Sequence, residues 1–258
     1  MRNGGFNFAH IGVIVPDLEK ASNYYQDMFG FKVEKSAENK KIGIKMEFLG
    51  CGNGSIEFIC RSGRENEDVG GAIDHISFIV KDFAEGLKIL QERGIPEEAF
   101  DVKERPKGGL HAFFFGPNGE KLQLLEDPEK GKEGEFILEH IGIRVKSIQE
   151  AKKLYVDTLK FQVLEERTFL QQQRKIMFLD PGKGALIELI EDEQEERPNP
   201  VEHFALLTDD IAYWHKELSK AGVEMLDKEP RLTASGASYN AKVKAENGEI
   251  IELLQPLQ

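Results

Sequence analysis

Only two of the 258 residues are cysteine and only six are histidine. Cys51 and Cys60 flank a turn-like stretch, CGNGS. Their spacing matches no metal motif, and two thiols are too few for a disulfide framework, so reduced thiols in a cytoplasmic protein are expected. No apolar run approaches membrane-spanning length, and the opening MRNGGFNFAH lacks the apolar stretch of a secretory signal. Positive charge is in deficit: 34 Lys and Arg against 46 Asp and Glu leave a net charge of −12. No basic stripe is available to track phosphates, which excludes a nucleic-acid partner. What remains is a chain 40% hydrophobic and 31% charged, a balance that excludes wholesale disorder. At this length it has room for two domains with their own cores.

The chain repeats itself. AHIGVIV at 9–15 returns as EHIGIRV at 139–145, 130 residues later. After the first copy, Leu18, Ala21, Tyr25, Met28 and Phe29 fall near one face of a helix, with Asp17 placed to cap it and Gly30 to end it. After the second, Ile148, Ala151, Leu154, Tyr155 and Leu159 do the same, behind a capping box of Ser147 and Glu150. Each half then divides again. KIGIKMEFLG and GSIEFIC correspond to KIMFLD and GALIELI. Polar connectors follow (RSGRENEDVGGA and EDEQEERPNP), and then a new strand–helix unit starts at IDHISFIV or VEHFALLTDD. The closing strands, PNGEKLQLLE and ENGEIIELLQ, are nearly alike. The pattern predicts an α+β fold of four βαβββ modules, with the acidic, Gly-containing stretch EDPEKGKEGE as hinge. The expected domains are 1–128 (modules one and two) and 136–258 (modules three and four), joined by a linker at 129–135.

Four of the six histidines, His10, His75, His140 and His203, stand near the start of the four modules' first strands. One histidine on an apolar strand is ordinarily structural; four in register call for a common role. The last strand of each module adds one polar residue to an apolar run: Glu57, Gln123, Glu188 and Glu252. A carboxylate among aliphatic residues is costly unless it is paired or holds a metal. The intervals are 47, 18 and 48 residues in the first half and 48, 15 and 49 in the second. Two imidazoles with two oxygen donors suit a divalent ion such as Zn, Ni, Co, Mn or Fe.

On HIGVIVPDLEKASNYY, DHISFIVKDF, GPNGEKLQLLE, EHIGIRVKSIQEA and NGEIIELL, the chain resembles the vicinal oxygen chelate superfamily, which includes glyoxalase I, extradiol dioxygenases and bleomycin-resistance proteins. The resemblance covers nearly the whole chain. It implies two cupped mixed-sheet, glyoxalase-like domains, each with metal ligands from the first and last strands of paired modules. His140, Glu188, His203 and Glu252 match the ligand set of glyoxalase I. That implies a lyase or isomerase abstracting a proton beside two chelated oxygens through an enediolate, with a low-molecular-weight thiol as co-substrate. Glu252 would be the base, Glu188 an assisting ligand, and Arg144, about 13 Å along the strand from His140, a contact for a substrate carboxylate. The implied partner is a small molecule, and the implied state a monomer or homodimer.

Two other readings compete. An extradiol dioxygenase would use His140, His203 and Glu252, but the chain has Glu188 where those enzymes have a histidine, and lacks a second His near TASGASYNAKVKAENGE. A metal-free sequestration protein would have lost these ligands. The halves differ, since Gln123 stands where the second half has Glu252 and Ile14 where it has Arg144; an amide oxygen can ligate but cannot take a proton. The second half is therefore expected to hold the main site, and the first half (His10, Glu57, His75, Gln123) a weaker one. Modules could instead pair across the halves, giving His10, Glu57, His203, Glu252 and His75, Gln123, His140, Glu188. A flexible-looking linker favours local pairing. Arg105, His111 and Arg231 lie in Gly- and Pro-containing segments expected at the cavity mouths.

Overall fold

The computed structural model describes residues 5–63, 71–105, 108–169, 174–192, 199–233 and 236–257. Most of the two polar connectors, at 64–70 and 193–198, lies outside the described residues.

Module one comprises β1 (Phe6–Ile14), α1 (Leu18–Phe29), β2 (Lys32–Asn39), β3 (Ile44–Gly50) and β4 (Ser55–Arg61). Module two comprises β5 (Ile73–Val80), α2 (Phe83–Glu92), β6 (Asp101–Glu104), β7 (Leu110–Phe115) and β8 (Lys121–Glu126). Module three runs through β9 (Ile137–Val145), α3 (Ile148–Lys152, continuing as a wider turn over Lys153–Thr158), β10 (Gln162–Phe169), β11 (Arg174–Asp180), β12 (Gly182–Lys183) and β13 (Leu186–Glu191). Module four holds β14 (Val201–Leu207), α4 (Ile211–Lys220), β15 (Glu224–Met225), β16 (Arg231–Leu232), β17 (Ser238–Lys244) and β18 (Ile250–Pro256). The helix signals act as read: Asp17 accepts from the Lys20 amide, Ser147 accepts from the Glu150 amide, and Gly30 ends α1 at φ 73°. Tyr25 and Phe29 on α1 and Tyr155 beyond α3 are buried in a continuous apolar core that takes residues from all four modules.

The strands form two mixed sheets, but not one per half. One sheet runs β15-β17-β18-β14-β1-β4-β3-β2, and the other β10-β11-β13-β9-β5-β8-β7-β6. Module one is thus joined to module four through antiparallel β1 and β14, and module two to module three through antiparallel β5 and β9. The expectation of module pairing within halves is corrected by this sheet order. Asp127–Phe136 is anchored at the end of β5 rather than hanging as a free hinge. The Asp127 amide donates to the Val80 carbonyl at 2.9 Å, and the Gly131 amide donates to the Asp127 carbonyl at 2.8 Å. A Cβ on Gly131 would stand 2.4 Å from the Lys81 nitrogen, so only glycine permits this approach. The chain passes the end of β5 and lays β9 directly beside it. No helix among the described residues is long and apolar enough to cross a membrane.

Candidate metal centres

Each sheet brings together ligands from both halves by one register rule. In the parallel pair β1–β4, Gly12 stands opposite Glu57, two residues past His10. In β9–β13 Gly142 stands opposite Glu188, two past His140. In β14–β18 Ala205 stands opposite Glu252, two past His203, and in β5–β8 Ser77 stands opposite Gln123, two past His75. Residues two apart share a sheet face, so each histidine and its neighbouring-strand partner point the same way. The antiparallel junctions then set the two histidines of each sheet side by side.

In the first cluster His10 Nε2 lies 3.2 Å from His203 Nε2, 3.2 Å from Glu57 Oε2 and 3.3 Å from Glu252 Oε2. His203 Nε2 is 3.4 Å from Glu57 Oε2 and 3.3 Å from Glu252 Oε2. All four side chains are buried. Supporting groups fix them: Glu202 Oε2 sits 3.1 Å from His203 Nδ1, Lys242 Nζ lies 3.2 Å from the same oxygen, and Arg61 binds the other carboxylate oxygen of Glu202. Asn240 donates from Nδ2 to Glu252 Oε1 at 2.7 Å. The Phe48 ring packs edge-on to His10, with centroids 5.3 Å apart.

In the second cluster His75 Nε2 lies 3.1 Å from His140 Nε2, and Glu188 Oε2 is 3.5 Å and 3.4 Å from those two atoms. Asp74 sits against His75 Nδ1 at 2.9 Å, and Glu139 against His140 Nδ1. Gln123 donates from Nε2 to His111 Nδ1 at 3.1 Å, which leaves its Oε1 buried without a hydrogen-bond partner among the described residues.

Burial by itself disfavours charge on all these groups, and their mutual attraction opposes it. Burial raises Glu57, but His10 and His203 outweigh it and bring the carboxyl down to about 2. Burial and Lys242 lower His203, yet hydrogen bonds to Glu202, Glu252 and Glu57 lift it to about 10. Against burial, Glu252 is held well below the carboxylate range by His10 and His203. In the second cluster Glu139 and Glu188 overcome burial and lift His140 to about 9, whereas burial keeps His75 low despite Asp74 and Glu188. A divalent cation fits this chemistry. Buried lone pairs of two imidazoles and one or two carboxylates already converge, and carboxylates oriented on the outer ring nitrogens match the usual support of a metal-bound histidine. His10, Glu57, His203 and Glu252 could hold one ion. His75, His140, Glu188 and the orphaned Gln123 oxygen could hold another.

The expected set His140, Glu188, His203 and Glu252 is therefore divided between two clusters, as is His10, Glu57, His75 and Gln123. Glu188 is not beside Glu252. Arg144, expected to meet substrate, is committed to Asp74 through Nε at 2.7 Å and through Nη2, and Lys121 Nζ reaches the same carboxylate at 3.0 Å. Of the residues placed at the cavity mouths, Arg105 donates to the Glu126 carbonyl, His111 is part of β7 beside Gln123, and Arg231 lines a cavity while pairing with Asp227 at 3.1 Å. That cavity, about 870 Å³, opens on His10, Glu57 and Glu252, with Met46, Phe48 and Leu254 among its apolar walls. Sequence reasoning missed Asn240 and the carboxylates at 74, 139 and 202. The signal for the carboxylates was the residue before each histidine, acidic in three cases of four.

Known proteins are similar in both sequence and fold. A lactoylglutathione lyase from Salmonella typhimurium is 30% identical over 131 residues, covering 48% of this chain and 94% of the relative. Another from Escherichia coli O157:H7 is 28% identical over 131 residues, with the same coverage. The crystal structure of glyoxalase I from Zea mays superposes with a TM-score of 0.82 over 98% of this chain and 94% of that one, at 19% identity, a likeness of fold. The family model for the glyoxalase/bleomycin resistance protein/dioxygenase superfamily matches residues 7–124 and again 137–253, and the chain belongs to that superfamily.

Proposed function

We propose that the protein is a divalent-metal-dependent lyase of the glyoxalase I type, and that its catalytic site is the cluster His10, Glu57, His203 and Glu252. The reading rests first on one observation: two imidazoles and two carboxylates converge within 4.8 Å of one another at the base of the 870 Å³ cavity. The likeness to lactoylglutathione lyases supports the reaction class, and the reaction read for this chain is isomerisation of a thiol–aldehyde adduct to a thioester. The chain is an enzyme of the lyase and isomerase class. The C-terminal half alone is not the main site in this reading, because His10 and Glu57 come from the first half.

When bound, the ion would supply Lewis-acid stabilisation of charge developing on the substrate's two adjacent oxygens. The protein's own groups do the rest. Glu252, tethered through Oε1 by Asn240, is the carboxylate that takes a proton from the carbon bearing sulfur and returns it to the neighbouring carbon. The site needs no separate base. Glu57 approaches both imidazoles with its own Oε2 and balances the cluster's charge. The second cluster has an amide, Gln123, where the first has Glu252, and Glu188 is the carboxylate it keeps, so it is read as the weaker centre for this proton transfer.

The test is turnover of methylglyoxal with a low-molecular-weight thiol, followed by thioester absorbance, after reconstitution with Ni, Co, Zn, Mn or Fe. Glu252→Gln is expected to lower kcat by about 100-fold or more. An ion-loaded protein without turnover, or a Glu252→Gln variant as active as the parent, would overturn the assignment.

A further inference from the structure

The two clusters differ at their fourth donor, and the residue beside that donor differs with it. Glu252 on β18 is held by Asn240 on β17, and Gln123 on β8 is held by His111 on β7, in each case 12 residues earlier in the chain. The ladders place them alike: Lys242 is opposite Glu252 with Asn240 two residues before it, and Phe113 is opposite Gln123 with His111 two before it. The contacts have opposite polarity. A carboxylate needs a donor, and Asn240 gives it an N–H at 2.7 Å. An amide has one end that can ligate and one that cannot, so it must be held by its NH2 end. A lone pair on His111 Nδ1, 3.1 Å away, does that and leaves Oε1 as the buried, unpartnered atom.

We propose that Asn240 and His111 are matched positioning residues, each supplying the hydrogen-bond polarity that turns the ligating oxygen of the fourth donor, Glu252 Oε2 or Gln123 Oε1, into its cluster. The proposal rests on the metal-centre reading above. It makes the second cluster a built site with a neutral fourth ligand, suited to holding an ion without proton transfer. With Nε2 carrying the imidazole proton, Nδ1 of His111 offers only a lone pair, and only one of the two flips of the Gln123 amide makes the bond. Replacing either positioning residue with leucine keeps bulk and removes the polarity. Exchanging them as His111→Asn and Asn240→His keeps a polar atom attached to Cγ at the same place, an acceptor in the first variant and a donor in the second.

The experiment is a Co(II) titration of the full chain in competition with a chelator, read by the visible d–d absorbance. The unmodified protein takes up Co(II) in two steps. His111→Leu and Asn240→Leu each weaken a different step by about 10- to 100-fold and leave the other in place. His111→Asn and Asn240→His restore most of the lost affinity. Leucine variants that keep both steps, or exchange variants as weak as the leucine ones, overturn the proposal. Thermal melts of the ion-free proteins check folding, and the two exchange variants carry the test if a leucine variant is unfolded. No Co(II) uptake by the unmodified chain overturns both this proposal and the metal-dependent function. The expected pattern without lyase turnover removes the function and leaves the positioning intact.

Discussion

The ring of His203 occupies the space that a side chain on Gly12 would need. A Cβ at position 12 would lie 2.1 Å from His203 Cε1, and one at Gly142 would lie 2.3 Å from His75 Cε1. In each case the glycine belongs to one half of the chain and the imidazole to the other. Neither glycine has a left-handed backbone, so the requirement is space alone. The glycine in each HIG motif makes room for the histidine of the module across the junction.

Gly12→Ala should displace His203 and disable the first cluster, lowering kcat/KM by about 100-fold, as expected when a catalytic geometry shifts by roughly 1 Å. Gly142→Ala should displace His75, cost one equivalent of bound metal and leave turnover within a few-fold of the parent. Kinetics and metal content of the two variants, side by side, check both outcomes.

Ion binding to the native state alone stabilises it, by about 2.7 kcal/mol per site at a free concentration 100 times Kd. For a chain of this size each kcal/mol moves Tm by about 2–4 °C. Chelation should therefore lower Tm by more than 5 °C, and the shift should be smaller in Gly12→Ala and in Gly142→Ala. Differential scanning fluorimetry with and without chelator measures it.

A second pair of buried contacts ties modules together within each half. The Tyr25 hydroxyl donates to Glu120 at 2.7 Å, and the Tyr155 hydroxyl donates to Glu249 at 2.8 Å. Burial raises both carboxyls above their ordinary value despite these hydrogen bonds. Each glutamate then holds its proton more tightly in the folded chain than in the unfolded one. The associated stability is complete below the unfolded pKa and is lost as pH rises through the raised folded value. Glu120→Gln and Glu249→Gln keep an oxygen to accept from tyrosine and cannot ionise. Their stability should decline less than the parent's between pH 4 and pH 7, measured by urea unfolding at several pH values.

Much of this was legible in the strands themselves. A module that starts with a histidine and ends with a polar residue in an apolar run declares its ligands, and all four histidines, three glutamates and Gln123 stand on the expected strands. Tyr25 and Tyr155, with Glu120 and Glu249 in the two NGE sequences, were also visible as a repeat, though their contact was not. The arrangement of modules was hidden for a physical reason. Gly12 and Gly142 lie in modules one and three, while Ser77 and Ala205 hold the corresponding places in two and four. A glycine module must face a non-glycine one, which fits pairing within halves and across them equally well. The stretch 127–136, which composition reads as a flexible hinge, touches the end of β5 through Asp127 and Gly131. The ion pair of Arg144 with Asp74 was hidden for a related reason, since Asp74 belongs to the other half and no local pattern announces it.

The central claim is that the working site is assembled across the halves, and the two glutamates at 57 and 188 separate it from the alternative. Local pairing puts Glu188 with His203 and Glu252, and pairing across the halves puts Glu57 there. The measurement is kcat/KM of metal-reconstituted Glu57→Gln and Glu188→Gln with methylglyoxal and thiol. A site assembled across the halves loses about 100-fold in Glu57→Gln and keeps near-parental turnover in Glu188→Gln. An inactive Glu188→Gln with an active Glu57→Gln would contradict it.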